Sequence, residues 1–468
     1  MIDPANQRFP GVEMLRLAGG QVETLFDEAL PVEVRELPEG LARLDELLGD
    51  GALLAPIESA WELGARERGR PTMPMASYVR LMVVKARTGW GYETLVREVS
   101  DSLHLRRFCL IALSERVPDE STVRKLTRRL GPEVVAELTR LVIAKAQREQ
   151  RFRARAMRVD STVVEADVRY PSDAALAVDA TRALAREGRR LAGTLGAGAK
   201  AVQDRSRAAG RRLRLIGRTM SRRAGEKKAE VLRLTGEAGE LLARSVREAR
   251  RLAAKARESA RGRGAQRKLV AARRLDELAE RAAKVARQIE QRLAGEKITD
   301  RLVSLADPDA RPIRKGKLGK PTEFGYVFQL AEVTANTRRG ARGFLLPPAS
   351  RIGSPNETEL LPATAQELDR LGIRPREIAL DGGFEPTTTN PALPSQSTVF
   401  IAGRQQAGSR RTRRRLARYR VGCEGRISHL KRSYGLDRTR LRGHPGARTW
   451  VGWAVLAYNL DTLAVHSD

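Results

Sequence analysis

One acidic residue stands between two cations in the segment 419–441, YRVGCEGRISHLKRSYGLDRTRL. At the helical step of about 100° per residue, Arg420, Glu424 and Lys431 fall on one polar stripe, beside an apolar stripe that contains Cys423. Such a helix face is often a solvated ion pair between residues four apart. It also suits a metal-ligating carboxylate flanked by cations that hold phosphates. Only the rest of the chain can decide between these two interpretations.

Two further acids stand in or after stretches that resemble strands. Asp160 lies within MRVDSTVVEADV, whose β-branched residues predict a strand, and Asp381 follows the apolar run EIAL and precedes two glycines. Taken singly, Asp160 is interpreted as an exposed edge-strand acid and Asp381 as a turn residue. With Glu424 they form a set of two strand carboxylates and one helix carboxylate in a basic, alternating α/β segment. Oxygen ligands of this kind suit a pair of divalent ions that hold the attacking and leaving oxygens of phosphoryl transfer.

The composition favours a polyanionic partner. The 468 residues include 87 Lys and Arg against 57 Asp and Glu, which gives a formal net charge of +30. Nucleic acid is the commonest partner of so basic a chain, although a GC-rich genome also inflates arginine. The two cysteines and four histidines show no ligand spacing, so neither a zinc site nor a disulfide framework is expected. No stretch of 18 apolar residues occurs, and we expect a cytoplasmic protein without membrane partners that associates with the nucleoid when bound to DNA.

The region 1–150 predicts helices separated by proline and glycine. Within it, VPDESTVRKLTRRLG predicts a basic helix that ends at Gly131 and resembles the second helix of a helix-turn-helix. In that interpretation Arg124, Lys125 and Arg128 contact DNA. The alternative is a plain helical bundle with a solvated basic edge. We therefore expect an N-terminal, DNA-binding helical domain over residues 1–150.

A second domain, 151–468, is predicted to be interrupted by a helical insertion over residues 174–298. The insertion is rich in helix formers and poor in aromatic residues, which argues against a large core of its own. We expect it to contact DNA or a partner chain, with a solvated spacer as the alternative.

Strand patterns resume after residue 300. The basic stretch IRKGKLGKP could line a phosphate backbone through Arg314, Lys315 and Lys317, or it could be an exposed hairpin tip. The predicted fold class is therefore α/β: a mixed sheet with flanking helices, an N-terminal all-α domain and a long helical insertion.

In combination these stretches resemble the DDE transposases of bacterial insertion sequences, whose catalytic core is ribonuclease H-like. The matching stretches are VDSTVVEADVRYPSD, ALDGGF, RVGCEGRISHLKRSYGLDRTRLRG and the late AYNLDTL, which resembles the closing helix of that core. The resemblance covers nearly the whole chain and includes the helical insertion after the first acid, which one subgroup carries. It implies that Asp160, Asp381 and Glu424 are the catalytic, metal-binding acids. Many relatives carry a tyrosine before the third acid, and Ala417 stands at that position here.

The resemblance also implies a reaction. The protein would bind the terminal inverted repeats of its element as a homodimer or higher oligomer, cut double-stranded DNA and join the freed 3′ ends to a target. Of two Mg²⁺ ions, for which Mn²⁺ can substitute, one would activate the attacking water or 3′-hydroxyl and the other would stabilise the leaving oxygen. Arg420 and Lys431 would hold phosphates. Two alternatives stay open: a catalytically inactive, transposase-derived DNA-binding protein, and a ribonuclease H-like nuclease that cuts without joining.

Overall fold

The computed structural model describes residues 13–18, 28–61, 70–150, 152–196, 198–220, 227–262, 264–314, 322–404 and 409–466. The chain forms two compact units, one made of residues 1–167 and 326–468, the other of residues 168–325. The strands are β1 (Glu13–Met14), β2 (Arg70–Pro71), β3 (Ala156–Ala166), β4 (Arg311–Arg314), β5 (Thr322–Thr334), β6 (Phe344–Leu345), β7 (Ala349–Ser350), β8 (Glu377–Leu380), β9 (Thr398–Ile401) and β10 (Arg438–Thr439).

The helices precede, interrupt and follow these strands. They are α1 (Val32–Arg35), α2 (Glu39–Leu48), α3 (Ala55–Ala60), α4 (Met75–Thr88), α5 (Tyr92–Asp101), α6 (Leu103–Phe108), α7 (Glu120–Glu149), α8 (Asp173–Leu195), α9 (Ser206–Met220), α10 (Lys227–Glu258), α11 (Ala265–Leu293), α12 (Glu357–Arg370), α13 (Pro386–Ala392), α14 (Arg410–Ser433) and α15 (Gly443–His466). Over the part of the chain that is described, none of the helices is long and apolar enough to cross a membrane.

A mixed sheet forms the centre of the first unit. Its strands follow the order β5-β3-β8-β9, with β8 parallel to β3 and to β9, and β10 parallel to the end of β3. The short strands β6 and β7 pair antiparallel with β5. In the register of β3 and β8, Arg158 lies opposite Ala379. Asp160 and Asp381 each lie two residues beyond this pair, and their carboxylates approach to within 4.8 Å.

Helix α14 packs against this sheet through one apolar face. Leu416 and Tyr419 are buried against residues of β3, β8 and β9, and the Tyr419 hydroxyl lies 2.6 Å from Oγ1 of Thr334. Further along the helix, Cys423 and Leu430 are also buried. The predicted apolar stripe therefore does hold this helix on the core, and its polar face is turned towards the end of β8.

The last helix, α15, packs against α7, α4 and α2 in the same unit. Near its end, the Asn459 side chain forms two hydrogen bonds with the backbone of Leu345, each 2.8 Å long, and so binds β6 to this helix. The helices before residue 150 and the closing helix thus share one core. The predicted domain boundary near residue 150 stays a prediction.

The second unit contains the predicted helical insertion. Helices α8 to α11 pack against one another around a core made mostly of alanine and leucine. At Gly239 of α10, an added Cβ would lie 2.9 Å from Ile289 of α11, so these helices approach closely. The expectation that the insertion lacks a large core of its own is wrong. Small side chains allow helices to approach closely enough to bury apolar surface without aromatic residues.

Candidate active site and metal centre

Two of the predicted acids meet at the sheet. Asp160 lies within β3 and Asp381 directly follows β8. Each offers a carboxylate oxygen to a group whose ligand atoms all lie within 4.8 Å of one another. The third member of that group is Glu357, the first residue of α12. Three carboxylates this close repel one another unless a cation or protons lie between them.

The environment of Asp160 disfavours its charged form. Burial raises the pKa of its carboxyl group, and the negative charges of Asp381 and Glu424 raise it further. The backbone N–H of Ser161, which donates to Oδ1 at 2.7 Å, opposes this rise, as does the charge of Arg420. A cation bound beside Asp160 would relieve this unfavourable environment.

Glu424 is joined to the other acids through Arg420. The guanidinium of Arg420 lies 3.2 Å from Oδ1 of Asp381 and 3.2 Å from Oε1 of Glu424. The Glu424 side chain is 61% exposed, against 16% for Arg420. Within the described ranges, Glu424 is not one of the acids whose oxygens lie within 4.8 Å of one another. In this structure Arg420 therefore bridges the carboxylates of Asp381 and Glu424.

Glu357 is the site residue that the sequence patterns missed. The helix that carries it, α12, begins at Glu357 itself. The Asn356 side chain caps the helix by accepting a hydrogen bond from the N–H of Glu359 at 2.9 Å. An Asn followed three residues later by Glu is a helix-start pattern that could have revealed this position.

The Glu357 carboxyl group is half-buried, and its surroundings disfavour its charged form. Burial raises its pKa to about 7, with Asp160 and Asp381 adding to the rise and Arg420 opposing it. Its Oε2 atom is buried and has no hydrogen-bond partner among the described residues. The donor set at this site, three carboxylates with one orphaned oxygen, fits a hard divalent cation such as Mg²⁺ or Mn²⁺.

The Lys431 side chain contacts β3 close to this centre. Its Nζ atom donates to the backbone oxygen of Val163 at 3.0 Å, which ties the end of α14 to β3. The sequence placed Arg420, Glu424 and Lys431 on one stripe, and the structure shows Arg420 and Lys431 in different surroundings. The proposed contacts of either residue with phosphate stay predictions.

Four of the other predicted DNA-binding residues lie on α7 and β4. Arg124 pairs with Glu120 at 2.9 Å, while Lys125 and Arg128 are exposed. The predicted break at Gly131 is confirmed, since this residue has φ 67° and ψ −171° inside α7. Arg314 is an exposed residue of β4, and Lys315 and Lys317 lie outside the described residues.

Acids on neighbouring parallel strands of a mixed sheet, with another acid on a packed helix, define a ribonuclease H-like DDE core. Residues 33–129 match the family described as a transposase domain (DUF772), and residues 388–464 match the family described as a transposase DDE domain. These matches confirm the resemblance to DDE transposases of insertion sequences, and the second contains Glu424. No curated protein and no solved structure matches the chain.

Proposed function

We propose that this protein is a transposase that binds the terminal inverted repeats of its element, cuts DNA strands with the help of Mg²⁺ or Mn²⁺, and joins the freed 3′ ends to target DNA. The observation that carries the proposal is the placement of Asp160 and Asp381 side by side, with Glu424 joined to Asp381 through Arg420, in a chain with two transposase-family matches. The protein acts as a homodimer or higher oligomer on DNA.

The residues of this site have separate tasks. A bound divalent ion would supply activation of the attacking water or 3′-hydroxyl and stabilisation of the leaving oxygen. Asp160 and Asp381 would hold the ion, and the Ser161 N–H orients the carboxylate of Asp160. Glu424 would add a ligand from the helix side. Arg420 keeps Asp381 and Glu424 facing each other and turns to phosphate when DNA enters.

The DNA backbone is held by cations around this centre. The first turns of α14 carry exposed arginines, Arg410, Arg411, Arg413 and Arg414, on the same helix as Glu424. Phosphate contacts of this kind position the duplex and do not depend on its sequence. Lys125 and Arg128 on α7 provide a second set of exposed cations.

The test uses a donor plasmid that carries the DNA flanking the gene, with its inverted repeats. We expect the wild type to nick the repeat ends and join them to target DNA in Mg²⁺. Asp160→Asn, Asp381→Asn and Glu424→Gln should each abolish cleavage and leave repeat binding intact, since phosphate contacts elsewhere persist. Glu359→Gln, an exposed acid of α12, is the matched control and should cleave normally. Variants of the three acids that still cut would overturn the site, and cutting without joining would contradict strand transfer.

A further inference from the structure

We propose that Glu357 is an additional carboxylate ligand of the catalytic metal site and binds the divalent cation together with Asp160 and Asp381. This inference rests on the proposed function, because it adds a residue to the same centre. It concerns a residue that lies outside both matched ranges, which include only Glu424 among the acids of this site.

The backbone holds Glu357 in place at this centre. Nε2 of Gln329, on β5, donates to the backbone oxygen of Glu357 at 2.7 Å, and Oγ1 of Thr364 in turn donates to Gln329 at 2.7 Å. The loop that follows Asp381 is fixed to the same end of α12, since the N–H of Glu385 donates to Oγ1 of Thr358 at 3.1 Å. The start of α12 and the loop after β8 are therefore joined, which keeps Glu357 and Asp381 at a defined separation.

The loop leaves room for the Glu357 carboxylate at one glycine. A Cβ atom added at Gly383 would lie 2.6 Å from Oε2 of Glu357. The backbone of Gly383 is outside the left-handed region, so its conformation does not require glycine. Glycine fits here instead because the Glu357 carboxylate occupies the space that a side chain at residue 383 would need.

A favourable charge at a helix N-terminus does not explain this placement. The first turn of α12 carries a second acid, Glu359, which is exposed and supplies the same interaction with the helix dipole. Glu357 is instead turned towards two other carboxylates, with its Oε2 atom buried and unpartnered among the described residues. Burying an acid beside two others is unfavourable unless a cation binds between them.

The experiment measures Mn²⁺ binding to the full-length, metal-free protein by isothermal titration calorimetry at constant pH. Glu357→Gln should weaken Mn²⁺ binding by at least about tenfold, because loss of a ligand exceeds the usual effect of losing an outer-shell partner. Glu359→Gln, two residues away on the same helix, should bind Mn²⁺ as the wild type does. In the absence of metal, Glu357→Gln should raise Tm, since it removes a repelling charge; a purely structural residue would lower it.

Gly383→Ala provides an independent variant. In the otherwise wild-type protein, the added methyl group should displace the Glu357 carboxylate and weaken Mn²⁺ binding. It should have no further effect on Mn²⁺ binding in the Glu357→Gln background, because contacting residues that act through one interaction are not additive.

The outcomes separate this inference from the proposed function. A Glu357→Gln variant that binds Mn²⁺ as tightly as the wild type would overturn the role of Glu357, even if Asp160 and Asp381 variants lose Mn²⁺ binding and cleavage. A wild type that neither binds Mn²⁺ nor cuts repeat DNA would overturn both. The proposal is supported if Glu357→Gln and Gly383→Ala both weaken Mn²⁺ binding while Glu359→Gln binds Mn²⁺ normally. Glu357 is then a metal ligand in addition to Asp160 and Asp381.

Discussion

Arg158, two residues before Asp160 on β3, donates two hydrogen bonds to a single carboxylate oxygen of Glu332, at 2.7 and 2.9 Å. Both side chains are buried, Arg158 with 2% and Glu332 with 0% of its surface exposed. The other oxygen of Glu332 accepts from Arg426 of α14 at 3.1 Å, and Arg158 also donates to the backbone oxygen of Tyr419 at 3.0 Å. This network joins β3, β5 and α14, the elements on which the candidate site is built.

Glu332→Gln should destabilise the first unit strongly. The substitution leaves the buried Arg158 and the partly buried Arg426 without their counter-charge, and breaking such a network costs about 3–5 kcal/mol of unfolding free energy. Guanidinium denaturation followed by tryptophan fluorescence measures this, because all four tryptophans lie in the first unit. Glu377→Gln, which breaks the more exposed pair with Arg415, is the matched control and should cost less than about 1 kcal/mol. Equal losses for both variants would contradict the special role of the buried network.

Two glycines of α14 should respond oppositely to alanine. A Cβ added at Gly422 would lie 1.9 Å from Nη1 of Arg158, whereas a Cβ at Gly425 meets nothing within 4 Å. Gly422→Ala should therefore lower the unfolding free energy by about 1–3 kcal/mol through overpacking. Gly425→Ala should raise it by about 0.5–1 kcal/mol, since alanine favours the helix. The same denaturation measurement compares them, and a gain in stability from both would show that α14 does not pack on Arg158 this closely.

Lys85 should make stability depend on pH. Its Nζ atom lies 3.8 Å from the centroid of the Trp450 ring and 4.8 Å from that of Tyr92, and burial, with Arg440, lowers its pKa from 10.5 to about 7. Between these two values the unfolded chain binds more protons than the folded chain, so stability rises with pH, by up to about 1.4 kcal/mol per pH unit. Below pH 7 both states are protonated and the dependence ends.

Lys85→Met isolates that effect. Methionine keeps much of the volume and carries no proton, so the variant should be more stable than the wild type at pH 7, and this difference should shrink towards pH 9. Urea denaturation of both proteins at pH 7, 8 and 9 measures the difference. A difference that does not change over this range would show that Lys85 titrates at an ordinary pKa.

Arg420→Gln should tighten metal binding while it impairs DNA cleavage. Without the guanidinium 3.2 Å from both Asp381 and Glu424, the acids attract a cation more strongly, by about 1 kcal/mol or fivefold in Mn²⁺ affinity for groups this exposed. Cleavage should fall because a phosphate contact is lost. Arg418→Gln, an exposed neighbour on the same helix, should change neither quantity. Weaker Mn²⁺ binding in Arg420→Gln would mean that Arg420 orients the acids more than it competes with the ion.

Local patterns in the sequence were enough to place most of the elements around the site. The β-branched residues around Asp160 predicted β3, the apolar run before Asp381 predicted β8, and helical spacing predicted α14 with its buried face. The break at Gly131 was also predictable, because glycine readily adopts the positive φ that this position requires. Each of these features is determined by residues close together in the chain, so a local sequence pattern is enough to predict it.

Which acids meet was decided by the tertiary structure. The parallel register of β3 and β8 joins Asp160 to Asp381 across more than two hundred residues, and the packing of α12 adds Glu357, while Glu424 is held through Arg420. The alanine-rich core of the insertion likewise depends on how closely its helices approach. Periodicity shows which face of an element is apolar, but the distance between two side chains depends on strand pairing and helix packing between distant segments.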